Sequence, residues 1–225
     1  MAKRKENQEE VAYTVPSVTA NVPSFWEKNE KMIKAFSIGL LGGVLIYFAY
    51  KNLYAKPQQE KAMTEMYQAE MLFQKDSFQL ALDGTQGGYA GFAELSKNYG
   101  GAAGHLANYY AGVCSLNLGK FGEAVTYLES AKVCGTVLPI MRYAALGDAY
   151  SEQKDMAKAA DAYEDAIGAG ELEVVTPSVM KKLAMLKEMN NDKAGALKLY
   201  KEIKEKFPQT QDGATIDKYI IRASN

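Results

Sequence analysis

Apolar and polar positions divide the chain into three kinds of segment. From Ala35 to Tyr50 sixteen consecutive residues carry no formal charge, and the apolar character extends over 32–54 if Lys34 and Lys51 reach outward along their aliphatic stems. As a helix this stretch measures about 34 Å, enough to cross a hydrocarbon core of about 30 Å. After Pro57 the pattern becomes amphipathic. Ala62, Met66, Ala69, Phe73 and Leu80 recur at spacings near three and four and predict one helix running to about Leu82, which Asp83 to Gly88 breaks. A shorter helix follows from Tyr89 to Tyr99, with Phe92 and Leu95 inward, and ends at Gly100-Gly101.

From His105 onward the pattern repeats. Gly112, Gly119, Phe121, Ala124, Leu128 and Ala131 recur 35 residues later as Gly147, Lys154, Met156, Ala159, Tyr163 and Ala166. Ala184, Asp192, Ala196, Tyr200, Ile203 and Pro208 carry the pattern 37 residues further. Periods of this size mean stacked helical hairpins. A small residue at Gly112, Gly147 or Ala184 lets the first helix approach the second, and Ala124, Ala159 or Ala196 is the matching small contact. Leu128, Tyr163 and Tyr200 then fill the gaps between hairpins. Ile216, Tyr219 and Ile220 give a short terminal helix of the kind that caps a solenoid.

These residues, with Pro208 where the family pattern ends a unit, resemble the tetratricopeptide repeat family. The expected architecture is all-α: an N-terminal transmembrane helix, then an α-solenoid of hairpins with a C-terminal capping helix. A tail covers 1–31, an anchor 32–54 and the repeat domain 57–225. Within the repeat domain a divergent hairpin occupies 57–101, repeats occupy 105–138, 140–173 and 177–208, and the cap occupies 212–223.

Composition narrows the function classes. The 48% hydrophobic content suits a packed domain, and a net charge of −1 gives no basic excess for nucleic acid. Residues 57–225 carry eighteen basic against twenty-two acidic side chains, a mildly acidic surface. The two cysteines, Cys114 and Cys134, fall about 12 Å apart along the predicted helices, beyond the Cα limit of about 7 Å for a disulfide. Both are expected to be small buried or half-buried residues.

The tail begins with Lys3-Arg4-Lys5, continues through Glu9, Glu10, Pro16 and Pro23, and shows no helical period. Phe25 and Trp26 stand just before the span, where aromatics rest at a membrane interface. A buried core helix and a cleaved signal peptide are the competing readings of 32–54. The missing small-residue cleavage site and the length of the preceding tail favour an uncleaved anchor. Lys28, Lys31 and Lys34 are matched across the span by Lys51, Lys56 and Lys61, so only the distant Lys3-Arg4-Lys5 tips the orientation, towards tail inside and repeats outside. Ala35, Gly39 and Gly43 recur every fourth residue, a spacing that lets another membrane helix come close.

No catalytic, metal or cofactor constellation emerges. The seven glycines between Gly84 and Gly104 lie between helices, without the strand or the Gly-Lys-Ser/Thr ending that a phosphate loop needs, and read as turns and caps. His105 is the single histidine, and carboxylate pairs such as Asp161 with Asp165 fall on exposed helical positions.

What remains is surface. In tetratricopeptide arrays the first helices line a concave groove. The resemblance implies that this groove receives Leu106, Tyr109, Tyr110 and Val113, then Met141, Ala144 and Asp148, then Lys181, Lys182 and Met185. Leu106, Tyr109 and Tyr110 have a second reading, as packing against the helix after Pro57. The carboxylate-clamp variety needs Lys and Asn where this chain has Tyr109 and Val113, so the groove departs from that pattern.

A short tail, a single span and then repeats, with the run NYYAGVCSLNLGKFGEAVTYLESA, is similar to the YfgM-type family of ancillary subunits of the bacterial Sec translocon. That resemblance implies a single-pass scaffold in the inner membrane, with a cytoplasmic N-terminus and periplasmic repeats. Its partners would be translocon subunits, periplasmic chaperones or emerging polypeptides, with the bilayer around 32–54 and no nucleic acid. The alternative is a receptor or assembly factor for a different membrane complex, with its repeats facing the cytosol.

Overall fold

The structure is a computed structural model that describes residues 22–224, with side chains from Lys28 onward. The features read in residues 1–21, including Lys3-Arg4-Lys5, and the side chains of Phe25 and Trp26 lie outside the described residues. Two compact units are present, Met1–Tyr54 and Ala55–Asn225.

The first unit holds helix α1, Val22–Tyr50. It starts well before Met32, so 22–31 is helical rather than the irregular tail expected there. Pro23 is tolerated because it falls in the first turn, where its missing N–H has no intrahelical acceptor to lose. The apolar side chains of α1 are exposed, with Phe36 at 76% and Ile46 at 72%. Among the described residues, one helical stretch near the N-terminus is long and apolar enough to cross a membrane, and none of its apolar window is buried. A side chain added at Gly39 or Gly43 would meet nothing within 4 Å, so this face of small residues is open. After Tyr50 the chain winds as a π-helix over Lys51–Ala55, and Tyr50 and Tyr54 stack with centroids 5.5 Å apart.

The second unit is a series of helical hairpins with an identical turn. α2 (Lys56–Phe73) is followed by α3 (Phe78–Asp83), and α4 (Phe92–Asn98) completes that layer. Then come α5 (Gly101–Asn117) with α6 (Phe121–Ser130), α7 (Leu138–Glu152) with α8 (Met156–Ala169), and α9 (Thr176–Met189) with α10 (Lys193–Lys206). Each turn has a residue in the left-handed region: Asp76 (φ 55°), Gly119 (φ 72°), Lys154 (φ 65°) and Asn191 (φ 62°). In each, the next residue's N–H reaches back to a carbonyl five residues earlier, Ser77 to Leu72, Lys120 to Ser115, Asp155 to Tyr150 and Asp192 to Lys187, at 2.8–3.0 Å. This pairing satisfies carbonyls that the end of a helix leaves free. Asp155 and Asp192 then cap α8 and α10 by accepting from the N–H groups of Lys158 and Gly195.

The turn at Asp76 corrects the sequence reading. The helix after Pro57 stops at Phe73 instead of running to Leu82, and Leu80, placed by that reading on its inner face, is 47% exposed. The segment 78–98 is one second helix interrupted by a loop from Gly84 to Gly91, pinned by a bridge between Gly84 and Ala90. Allowing for that insertion, Ala69, Asp76, Phe78 and Ala81 precede Gly112, Gly119, Phe121 and Ala124 by 43 residues, so the first hairpin carries the repeat pattern too.

Small residues set the close approaches. Ala69, Ala81, Ala124, Ala159, Ala184 and Ala196 have no exposed surface. A Cβ at Gly112 would stand 2.5 Å from Leu128 Cγ, and one at Gly147 would stand 2.4 Å from Tyr163 Cε1. The cap consists of α11 (Gln211–Thr215) and α12 (Asp217–Ser224), with Ile216 fully buried against Tyr200 and Ile203. Glu188 on α9 ties α12 down: it accepts from the Tyr200 hydroxyl at 2.7 Å and from Arg222 Nε at 3.1 Å.

Candidate functional site

The C-terminal halves of α7 and α9 build a cleft of about 610 Å³ with the end of α5. On α7, Asp148, Ser151 and Glu152 stand at i, i+3 and i+4, one helical face. On α9, Lys182, Met185 and Met189 stand at i, i+3 and i+7, with Leu186 beside them. Leu116 and Asn117 close the α5 side, Phe121 comes from the start of α6, and Tyr163 reaches through from α8. Tyr163 crosses between the layers because Gly147 leaves room for its ring.

At the floor, Lys182 Nζ lies 2.6 and 2.8 Å from the two Asp148 carboxylate oxygens. The Tyr163 hydroxyl donates to Asp148 Oδ1 at 2.7 Å. Burial, the Asp148 charge and that hydrogen bond, with Glu152 nearby, push the Tyr163 hydroxyl well above its ordinary value, so it keeps its proton as a donor. The arrangement is a neutralised ion pair beneath an apolar wall in which Met185 is 39% and Met189 66% exposed. The described residues include no group of three metal-ligating side chains.

Of the residues expected in the groove, Asp148, Lys182 and Met185 meet in this cleft and the others do not. Lys181 precedes Lys182 by one residue, about 100° around the helix, and is directed to Asp212 of the cap, where it forms an ion pair. Met141 is surface-exposed two turns before Asp148 at the opposite end of α7, away from the cleft. Val113 is half-buried against the main core cluster, and Tyr109, 5% exposed, is part of that core. Burial, with Tyr110 beside it, pushes the Tyr109 hydroxyl up to about 12. The packing reading holds for its neighbour: Tyr110 stacks on Phe92 at 4.8 Å and meets Phe73 of α2 edge-on at 5.1 Å.

Sequence reasoning missed Glu152, Met189 and Phe121 in the cleft, and assigned Tyr163 to packing alone. Glu152 and Met189 were accessible from helical periodicity, at i+4 from Asp148 and i+7 from Lys182. The two cysteines are free, as expected, but Cys134 is exposed rather than buried or half-buried, because it lies in the loop after α6. Cys114 is buried, and burial pushes its thiol up to about 12.

With the fold and cleft in place, similarity to known proteins is specific at one point. Residues 180–210 match the tetratricopeptide repeat family. The matched segment runs from Met180 within α9 through α10 to Thr210, just before the cap helices, and the chain has the fold of an all-α tetratricopeptide solenoid, an architecture that serves protein–protein interaction. No curated protein matches the chain.

Proposed function

We propose that the chain is a membrane-anchored tetratricopeptide scaffold serving as an ancillary subunit of the bacterial Sec translocon. In this reading 32–54 crosses the inner membrane, the N-terminus is cytoplasmic and the repeats are periplasmic. The cleft between α5, α7 and α9 receives a translocon subunit, a periplasmic chaperone or an emerging polypeptide. The face of Ala35, Gly39 and Gly43 packs against a membrane helix of the partner complex, since small residues let helices approach in lipid. The scaffold holds no cofactor and performs no turnover.

The observation that carries the binding reading is the cleft itself, where two exposed methionines stand beside an ion pair whose charges satisfy each other. Methionine is unbranched and polarizable and adapts to varied apolar partners. Anchoring is supported by the uncovered apolar surface of α1 and by Tyr47, Tyr50 and Tyr54, exposed near its end beside Lys51, as in the aromatic belts of membrane interfaces.

Site-specific photo-crosslinking in intact cells tests it. A photoreactive residue at Met189, in the cleft, should give adducts with translocon subunits, periplasmic chaperones or nascent chains. The same residue at Val174, 92% exposed and outside the cleft, should not. Adducts confined to cytosolic proteins would favour the cytosol-facing receptor instead.

A further inference from the structure

Three first helices end at the same cleft: α5 at Asn117, α7 at Glu152 and α9 at Met189. Asn117, Glu152 and Met189 each line it, so the cleft is framed by helix C-termini, the negative end of each helix dipole. Helices commonly offset that charge with a basic residue in the last turn. α5 and α7 have none, and the one on α9, Lys187, points out of the cleft to Glu164 at 3.1 Å.

Lys182 is the sole cation lining the cleft among the described residues, and Asp148 engages it with both oxygens. Asp148 and Lys182 cancel. The charge left over is the carboxylate of Glu152, exposed and in no ion pair among the described residues. The unpaired Glu152 carboxylate at the meeting of three helix C-termini, together with the apolar Met185, Met189 and Phe121, forms a lining that is both apolar and cation-seeking.

We propose that the cleft selects polypeptide segments that present apolar side chains together with a lysine or arginine, the cationic group seated at Glu152. The apolar side chains occupy the methionine wall, and the Asp148–Lys182 pair marks the floor without drawing charge of either sign. This rests on the reading of the cleft as the partner site. It adds the chemistry by which partners are chosen: acidic segments are turned away by Glu152, and purely apolar ones leave its carboxylate without a partner.

Panning a phage-displayed library of random dodecapeptides against the detergent-solubilised full chain tests the selection. Selected peptides should combine Leu, Ile, Phe or Met with Lys or Arg. Glu152→Gln should weaken those peptides roughly tenfold, as loss of a charge-assisted contact does, while peptides of equal apolarity without a cation should bind it unchanged. Selection of acidic peptides, or of cationic peptides whose affinity survives Glu152→Gln, would overturn the proposal and leave the cleft as a partner site. Recovery of no peptide, or only of peptides whose binding survives Met189→Asp, would overturn the partner-site reading itself.

Discussion

The ring of Tyr163 fills the space that a side chain at Gly147 would need: a Cβ there would stand 2.4 Å from Tyr163 Cε1. From this position the Tyr163 hydroxyl reaches Asp148, so one glycine both closes a hairpin and orients the floor of the cleft. Gly147→Ala should destabilise the domain by about 1–3 kcal/mol through overpacking. Gly122→Ala, where the nearest atom lies 4.0 Å away at the end of the Gln153 side chain, should be neutral or stabilising. Urea-unfolding midpoints compare the two, and equal midpoints would remove the close contact from the account.

The turn of the third hairpin holds Lys154 at φ 65°, where the first helix of that hairpin ends. A left-handed conformation costs a residue with a Cβ roughly 1–2 kcal/mol, of which glycine's greater freedom when unfolded cancels part. Lys154→Gly should therefore raise the unfolding midpoint. Gly119→Lys, at the equivalent turn, should lower it.

Much of this was legible in the sequence, and the exceptions have physical causes. Ala124, Ala159 and Ala196 repeat because hairpin contacts demand small side chains, and repetition is visible without a structure. Asp76 escaped notice because Asp tolerates the left-handed conformation less conspicuously than Gly, and because the inserted Gly84–Gly91 loop shifts the first hairpin out of the common period. Asp148, Lys182 and Met185, which the tetratricopeptide resemblance placed in the groove, line one cleft together. Tyr109 and Lys181 were misassigned because a first helix buries one flank against its neighbours and turns another towards the cap, and only packing decides which residue goes where.

Glu188 joins three elements. The Arg222 guanidinium, followed by the Tyr200 hydroxyl, holds its carboxyl below the ordinary value of 4.5. A lowered folded-state value means that the stabilisation is present above the unfolded value and is lost as pH falls through the folded one. The drop in melting temperature on going from neutral pH to below the carboxylate range should be smaller in Arg222→Ala than in the parent chain. An equal drop would show that Glu188 adds nothing to the docking of α12.

In α1, replacing Gly39 and Gly43 by Leu should preserve membrane insertion, since Leu is the more apolar residue. Loss of the small face should reduce co-purification of the partner complex in mild detergent. Unchanged recovery would leave the helix as an anchor alone.

The orientation of the repeats decides the central claim, and the chain carries its own reporter. Cys134 is exposed in the repeat domain, whereas Cys114 is buried with its thiol pushed up to about 12, so one cysteine reacts in the folded chain. Intact spheroplasts treated with a membrane-impermeant maleimide should label the parent chain and leave Cys134→Ser unlabelled. Labelling that appears only after the membrane is disrupted would place the repeats in the cytosol and contradict the account.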